Sequence, residues 1–160
     1  MRRSAELTRT VDLPLEKVHE IASSETYLLT VDDASTSKLV VTEAERQVDG
    51  DGSVHARVVA AHQKDDGSAG FSMEQVSDIT AVSDDGFVST TVTPLPKGIG
   101  SLTVVLGYTR AGESSVTVNA EIIADVGIPL LGGKIAKKLV ESADKTVDSG
   151  LDRIRRLAAG

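Results

Sequence analysis

Side-chain catalysis needs a nucleophile or a pair of groups able to trade a proton, and this 160-residue chain offers few of either. It has three histidines, His19, His55 and His62, and no cysteine. Thiol nucleophiles, thiolate metal sites and disulfides are therefore excluded. His55 and His62 stand seven residues apart in one strand-like run, which sends them to opposite faces, and His19 belongs to another segment. The spacing predicts no shared metal site. His55 alternates with Arg57 on the polar side as a surface histidine, while His62 has apolar parity at the end of its run, at a rim. No Gly-x-Ser-x-Gly elbow occurs. The Asp-Asp-Gly triplets at 65–67 and 84–86 are turn chemistry. Glu74 and Asp78 share a strand face with Val76 and Thr80, and read as solvated side chains rather than an acid–base pair. The polar residues expected to point inward are Gln75, His62 and Tyr108. Tyr108 either packs with a single hydrogen-bond partner or, with Gln75, orients a polar group on a ligand. No catalytic residue, metal or cofactor is expected.

Charge narrows the partners. A net charge of −7 argues against nucleic acid, whose binding needs a basic surface. Residues 131–160 carry seven Lys or Arg against four Asp or Glu, a balance of +3 that leaves −10 for residues 1–130. The basic residues Lys134, Lys137, Lys138, Lys145, Arg153, Arg155 and Arg156 read as the solvated face of a helix, with a docking surface for an acidic partner as the sharper alternative. Two Phe, two Tyr and no Trp leave a core of aliphatics that must pack tightly or enclose space. No secretory leader is visible, and no run approaches the ~20 apolar residues of a membrane span. The expectation is one soluble, cytoplasmic domain over residues 1–160.

Positioning these residues falls to a recognisable series of elements. Residues 5–12 read as a first strand. Pro14 opens a helix with Leu15, Val18, Ile21 and Ala22 on one side, and a second short helix follows Ser24 at 24–31. From residue 38 the pattern turns to period two. Runs at 38–48 and 53–62 flank Asp-Gly-Asp-Gly, a hairpin signal, and further runs fall at 71–82, 87–93, 101–110 and 115–126. In the last, Val116, Val118, Ala120, Ile122, Ala124 and Val126 share one face, the alternation of a sheet buried on one side. Residues 133–158 supply a cover. Ala136, Val140, Ala143, Val147, Gly150, Ile154 and Leu157 recur at helical spacing, predicting one helix of roughly 39 Å. Gly150 within it points to close backbone packing first and room for a ligand second.

The stretch from Val126 to Val140 joins strand to helix. Its glycines miss the phosphate-loop spacing, and Ile135 follows the lysine where a hydroxyl residue is required. The apolar run is too short for an anchor. It reads as a corner in which Pro129 ends the strand, Leu130 and Leu131 cap the interior, and Gly132-Gly133 permit the turn.

The whole order resembles the helix-grip fold of the START-like (SRPBCC) superfamily, which includes the birch-pollen allergen, lipid-transfer START domains and polyketide cyclases. The fold expected is α+β: a strand, two short helices, six antiparallel strands, and a long C-terminal helix packed on a curved sheet. "GIPLLGGKI" at 127–135 is similar to the "IPL-x-GGK" junction of a bacterial family with no assigned activity. "LPLEKVHEIASSETYLL" is similar to that family's first helical region, including its Val-His pair, here Val18-His19. The near absence of aromatics departs from relatives that line their pockets with them. The resemblance implies a cavity between sheet and helix for an apolar or amphipathic small molecule, lipid- or polyketide-like. Inward parity then names the wall: Ala56, Val58, Ala60 and Gln75; Leu102, Val104, Leu106 and Tyr108; Val118, Ala120, Ile122 and Ala124. From the helix come Leu139, Ala143, Val147 and Gly150. Two other classes stand beside this one, a cyclase- or dehydratase-like enzyme using Tyr108 or His62, and a protein-interaction module using the basic helix.

Overall fold

An extended run sends successive side chains to alternate faces, and seven such runs here build one sheet. A computed structural model describes residues 1–30, 39–63 and 69–160, so the turn expected at 65–67 lies outside the described residues. The elements are β1 (Arg2–Val11), α1 (Leu15–Ala22), α2 (Glu25–Leu28), β2 (Leu39–Val48), β3 (Val54–Gln63), β4 (Ala69–Ile79) and β5 (Gly86–Pro94). After a 3-10 turn at Pro96–Gly98 come β6 (Gly100–Gly112), β7 (Ser115–Val126), α3 (Gly132–Glu141) and α4 (Ala143–Ala159). The sheet order is β1-β7-β6-β5-β4-β3-β2, antiparallel throughout. Only the β1–β7 pairing is distant in sequence. This is the α+β helix-grip architecture.

The register carries one inner row from Ala5 through Ile122, Val104, Thr91 and Ser77 to Ala56. A second runs from Leu7 through Ala120, Leu106, Ser89 and Ile79 to Val54. In each row, apolar residues on β1, β7 and β6 give way to hydroxyls on β5. The ladder between β4 and β5 is short, covering only Val76–Ile79 and Ser89–Val92. Two residues further on, Pro94 has no N–H with which to extend it.

The helices cover the inner face in two places. Val11, Leu15, Val18, Val116, Val118, Leu151 and Ile154 form the main core where α1 and α4 meet the sheet. A smaller cluster of Ala124, Val126 and Ala136, with Ile99, Ile128, Ile135 and Leu139 against it, forms where α3 lies on β7 and β1. The C-terminal helical segment is two helices rather than one. Ser142 departs from helical geometry at φ −90°, ψ 8°, and its hydroxyl turns back to the Lys138 carbonyl at 3.5 Å. Such back-bonding competes with the main-chain ladder. The apolar stripe passes through the break in phase, from Ala136 and Val140 to Ala143 and Val147, so periodicity gave no sign of it.

The corner also differs from expectation. Ile128, not the leucine pair, turns inward. Leu130 is fully exposed, at 101%, and Leu131 is 55% exposed. The positive φ falls on Leu130, at 68°, rather than on a glycine. Its peptide closes a γ-turn, with Leu131 N–H donating to the Pro129 carbonyl at 2.8 Å, a rare and strained form for a side chain of this size. Gly132 serves close approach, because a Cβ there would stand 2.7 Å from the Val126 carbonyl oxygen.

Two substitutions separate these roles. Leu130→Gly should raise stability by about 0.5–1 kcal/mol, since the strain is relieved and no burial is lost. Gly132→Ala should lower it by more than about 1 kcal/mol. Urea unfolding reads both, and a destabilised Leu130→Gly variant would contradict the assignment.

Candidate functional site

Between the inner faces of β4–β6 and the helices α2 and α4 lies a cavity of about 210 Å³. One wall is apolar: Leu102, Val104 and Leu106 alternate along β6, and Leu28 and Val147 face them from the helices. The other wall is built of hydroxyls and an amide, with Gln75 and Ser77 from β4 and Ser89, Thr91 and Thr93 from β5. Tyr27, Thr30, Thr146, Gly150 and Arg153 complete the lining. Ser77 is buried, and its hydroxyl lies 3.1 Å from that of Thr91. Each hydroxyl has one proton and two lone pairs, so one bond between the two leaves capacity for a third group. The volume falls below the ~300–1,000 Å³ of drug-sized pockets. The space suits a small ligand.

Arg153 holds the rim. Its guanidinium donates to the carbonyls of Tyr27 at 3.0 Å and Thr26 at 2.9 Å, bonds the Thr30 hydroxyl, and lies 5.0 Å above the Tyr27 ring. By bonding carbonyls at the end of α2, the arginine caps that helix and ties it to α4. Gly150, one turn earlier, faces the same tyrosine. A Cβ there would come within 3.2 Å of the Tyr27 hydroxyl, so close packing and cavity space meet at this glycine.

Of the residues singled out by parity, the structure brings Gln75, Leu102, Val104, Leu106, Val147 and Gly150 together around this space. Ala56, Val58 and Ala60 are buried on the inner face of β3, alongside rather than lining it. Val118, Ala120 and Ile122 are buried in the main core with Ala143, while Ala124 and Leu139 belong to the α3 cluster. Tyr108 is buried and stacked flat on Phe87, with ring centroids 4.4 Å apart and planes 10° from parallel. Burial pushes its phenol well above the ordinary value, so it stays neutral. The hydroxyl wall was missed from the sequence. Its signal was present, since Ser89, Thr91 and Thr93 share the parity of Phe87 in "FVSTTVT". The rim residues Tyr27, Thr30 and Arg153 had no comparable signature, because their meeting depends on tertiary packing.

The histidines occupy three separate settings. His19 meets the edge of Phe87 and places Nε2 3.0 Å from the Thr80 carbonyl. His62 sits where the β3–β4 register shifts, beside Gly70. His55 lies on the outer face between Asp78 and Asp49, with Nε2 2.7 Å from the latter. On that same face Arg57 bridges Glu74 at 2.5 Å and Glu43 at 3.2 Å. The carboxylates on this strand face are thus cross-strand partners.

This geometry, a curved antiparallel sheet gripping C-terminal helices around a hollow, defines a helix-grip protein with the START/SRPBCC-like fold. Residues 6–157 match the family described as "Protein of unknown function (DUF2505)", and the chain belongs to that family. Solved structures agree on the fold. TTHA0849 from Thermus thermophilus is 18% identical, with a TM-score of 0.59 over 99% of this chain and 100% of that one. The ZhuI aromatase/cyclase from Streptomyces sp. R1128 is 13% identical, with a TM-score of 0.59 over 99% of this chain and 94% of that one. Norcoclaurine synthase from Thalictrum flavum is 12% identical, with a TM-score of 0.61 over 99% and 87%. No curated protein matches the sequence. Among the described residues no helix is long and apolar enough to cross a membrane.

The His55 clamp yields a pH prediction with a definite sign. Hydrogen bonds that the imidazolium donates to Asp78 and then to Asp49 raise its pKa above the ordinary value of 6.5. A raised folded-state pKa stabilises in full below the unfolded value, and that contribution is lost as pH rises through the folded one. NMR titration should place the His55 midpoint above 6.5, and His55→Gln should flatten the pH dependence of stability in that window. A midpoint at or below 6.5 would refute the clamp.

Proposed function

We propose that the chain, acting as one helix-grip domain over residues 1–160, binds an amphipathic small molecule in the cavity between its sheet and α4. The observation that carries this reading is the two-sided lining. Leu102, Val104 and Leu106 offer an apolar surface, and beside them on the same sheet face Ser77, Thr91 and Thr93 offer neutral hydrogen-bonding groups. A purely apolar guest would leave the spare bonding capacity of those hydroxyls unused, whereas a guest with a carbonyl or hydroxyl on a hydrocarbon body meets both kinds of surface. The ligand class is lipid- or polyketide-like, at the small end given the volume. The resemblance in fold to proteins named aromatase/cyclase and norcoclaurine synthase is consistent with a small-molecule role. Binding without turnover is favoured over a cyclase- or dehydratase-like activity because, among the described residues, neither a carboxylate nor a histidine lines the space. A protein-docking role for the whole basic helix is disfavoured as well. Arg153 is engaged at the rim, and Arg155 reaches Asp152 at 2.6 Å and the Thr10 carbonyl at 3.0 Å.

Calorimetric titration with a panel of medium-chain alcohols, ketones and matched alkanes tests this. Val104→Phe, which fills the apolar wall, should weaken every member by at least about tenfold with the fold retained by circular dichroism. Thr91→Val should weaken only the oxygen-bearing members, by roughly three- to tenfold. Failure of every panel member to bind the native protein, or indifference to Val104→Phe, would refute the proposal.

A further inference from the structure

We propose that the corner where β1 and β7 end and α3 begins docks the protein on an anionic lipid bilayer, with Leu130 and Leu131 entering the interface. The inference stands independently of whether the cavity holds a ligand.

Leu130 begins the argument because nothing inside the protein accounts for it. Its side chain has no burial, and its backbone holds a conformation that glycine would adopt without strain. Leu131 follows it, more than half exposed, and Met1, 68% exposed, comes beside Gly133. The turn presenting them is anchored from beneath. Gly127 N–H donates to the Ile99 carbonyl at 2.7 Å, Gly132 N–H donates to the Ile128 carbonyl at 2.8 Å, and Ile128 packs into the α3 cluster with Ile99. The leucines are held outward by a built corner.

Charge identifies what they face. Arg2, Arg3, Lys97, Lys134, Lys137 and Lys138 are all exposed around this corner. Among the described residues its acids are Asp125, which lies cross-strand from Arg2, and Glu141, which pairs with Lys137 at 3.9 Å in a solvent-exposed contact. This basic corner belongs to a chain of net charge −7. Asp49, Asp51, Asp84, Asp85 and Glu113 lie in the turns at the other end of the strands. Among the described residues, the turns at that far end are acidic and the corner is basic, a local contrast that favours a corner-first approach to a negative surface. A bilayer fits better than a protein partner. The corner has flexible lysines around a small aliphatic tip, without the aromatic anchors that centre protein interfaces. A fluid surface of anionic headgroups over hydrocarbon needs no matching shape, and it rewards both halves of the motif.

Co-sedimentation of the full chain with phosphatidylcholine vesicles, with and without an equimolar share of phosphatidylglycerol, tests the proposal. Binding is expected to the anionic vesicles at low salt and to fade at high salt. The double variant Leu130→Ser, Leu131→Ser should lower partitioning at least about tenfold while its melting temperature is unchanged or raised. Each of Lys97→Gln and Lys134→Gln should lower it by about fivefold at low salt. The proposal is overturned by any of three results: no vesicle binding, equal binding to neutral vesicles, or native-like binding of the leucine double variant. Retention on heparin without vesicle binding would likewise reassign the basic corner to another polyanion.

Discussion

The register between β5 and β6 governs the character of the interior. It sets Ser89 against Leu106, Thr91 against Val104 and Thr93 against Leu102, so each inner pair joins a hydroxyl to an aliphatic side chain. A slip of one residue would turn Val88, Thr90 and Val92 inward instead, and the space beneath α4 would become more apolar on that wall. The pairing is held at one end by Phe87 stacked on Tyr108, where the inner face is fully packed. From there toward Thr93 and Leu102 the side chains shorten, the β4–β5 ladder ends, and space opens. The hollow follows from the single step down in side-chain size beyond the aromatic pair on these two strands.

What keeps α4 above that hollow is chiefly burial at its flanks. Leu151 and Ile154 are almost wholly removed from water, and each contributes about 1.5–3 kcal/mol relative to exposure. Polar contacts set its position more than its stability. Arg9 on β1 reaches Asp148 at 2.9 Å and Asp144 at 3.0 Å, partly exposed pairs of modest worth. Arg153 fastens the opposite side to α2. The break at Ser142 lets α3 follow β7 and β1 while α4 turns onto α1. Cover and opening are thereby handled by different helices.

Local pattern revealed most of this architecture. The alternation in β3, β6 and β7, the Asp-Gly turn at 49–52 and the Pro14 helix start were all readable, because each is settled by residues within a few positions of one another. Features decided by distant partners were not. Ser142 interrupts a stripe whose phase it leaves intact. The corner leucines looked like core because hydrophobicity says nothing of direction when the backbone turns sharply. Among the candidate lining residues, Leu102, Val104 and Leu106 could be placed from their own strand. Whether Ala120 or Tyr108 met space or a neighbour depended on where α4, α1 and Phe87 came to rest. The hydroxyl wall was legible in principle, from the parity of Ser89 with Phe87.

Solution NMR with methyl-labelled protein and 1-hexanol would locate the small amphipathic guest proposed between β4–β6 and α4. Intermolecular contacts are expected to the methyls of Leu102, Val104, Leu106, Val147 and Thr91, with little change at Val88 and Val105 on the outer face. Contacts confined to the outer face, or none at saturating alcohol, would contradict binding in the hollow.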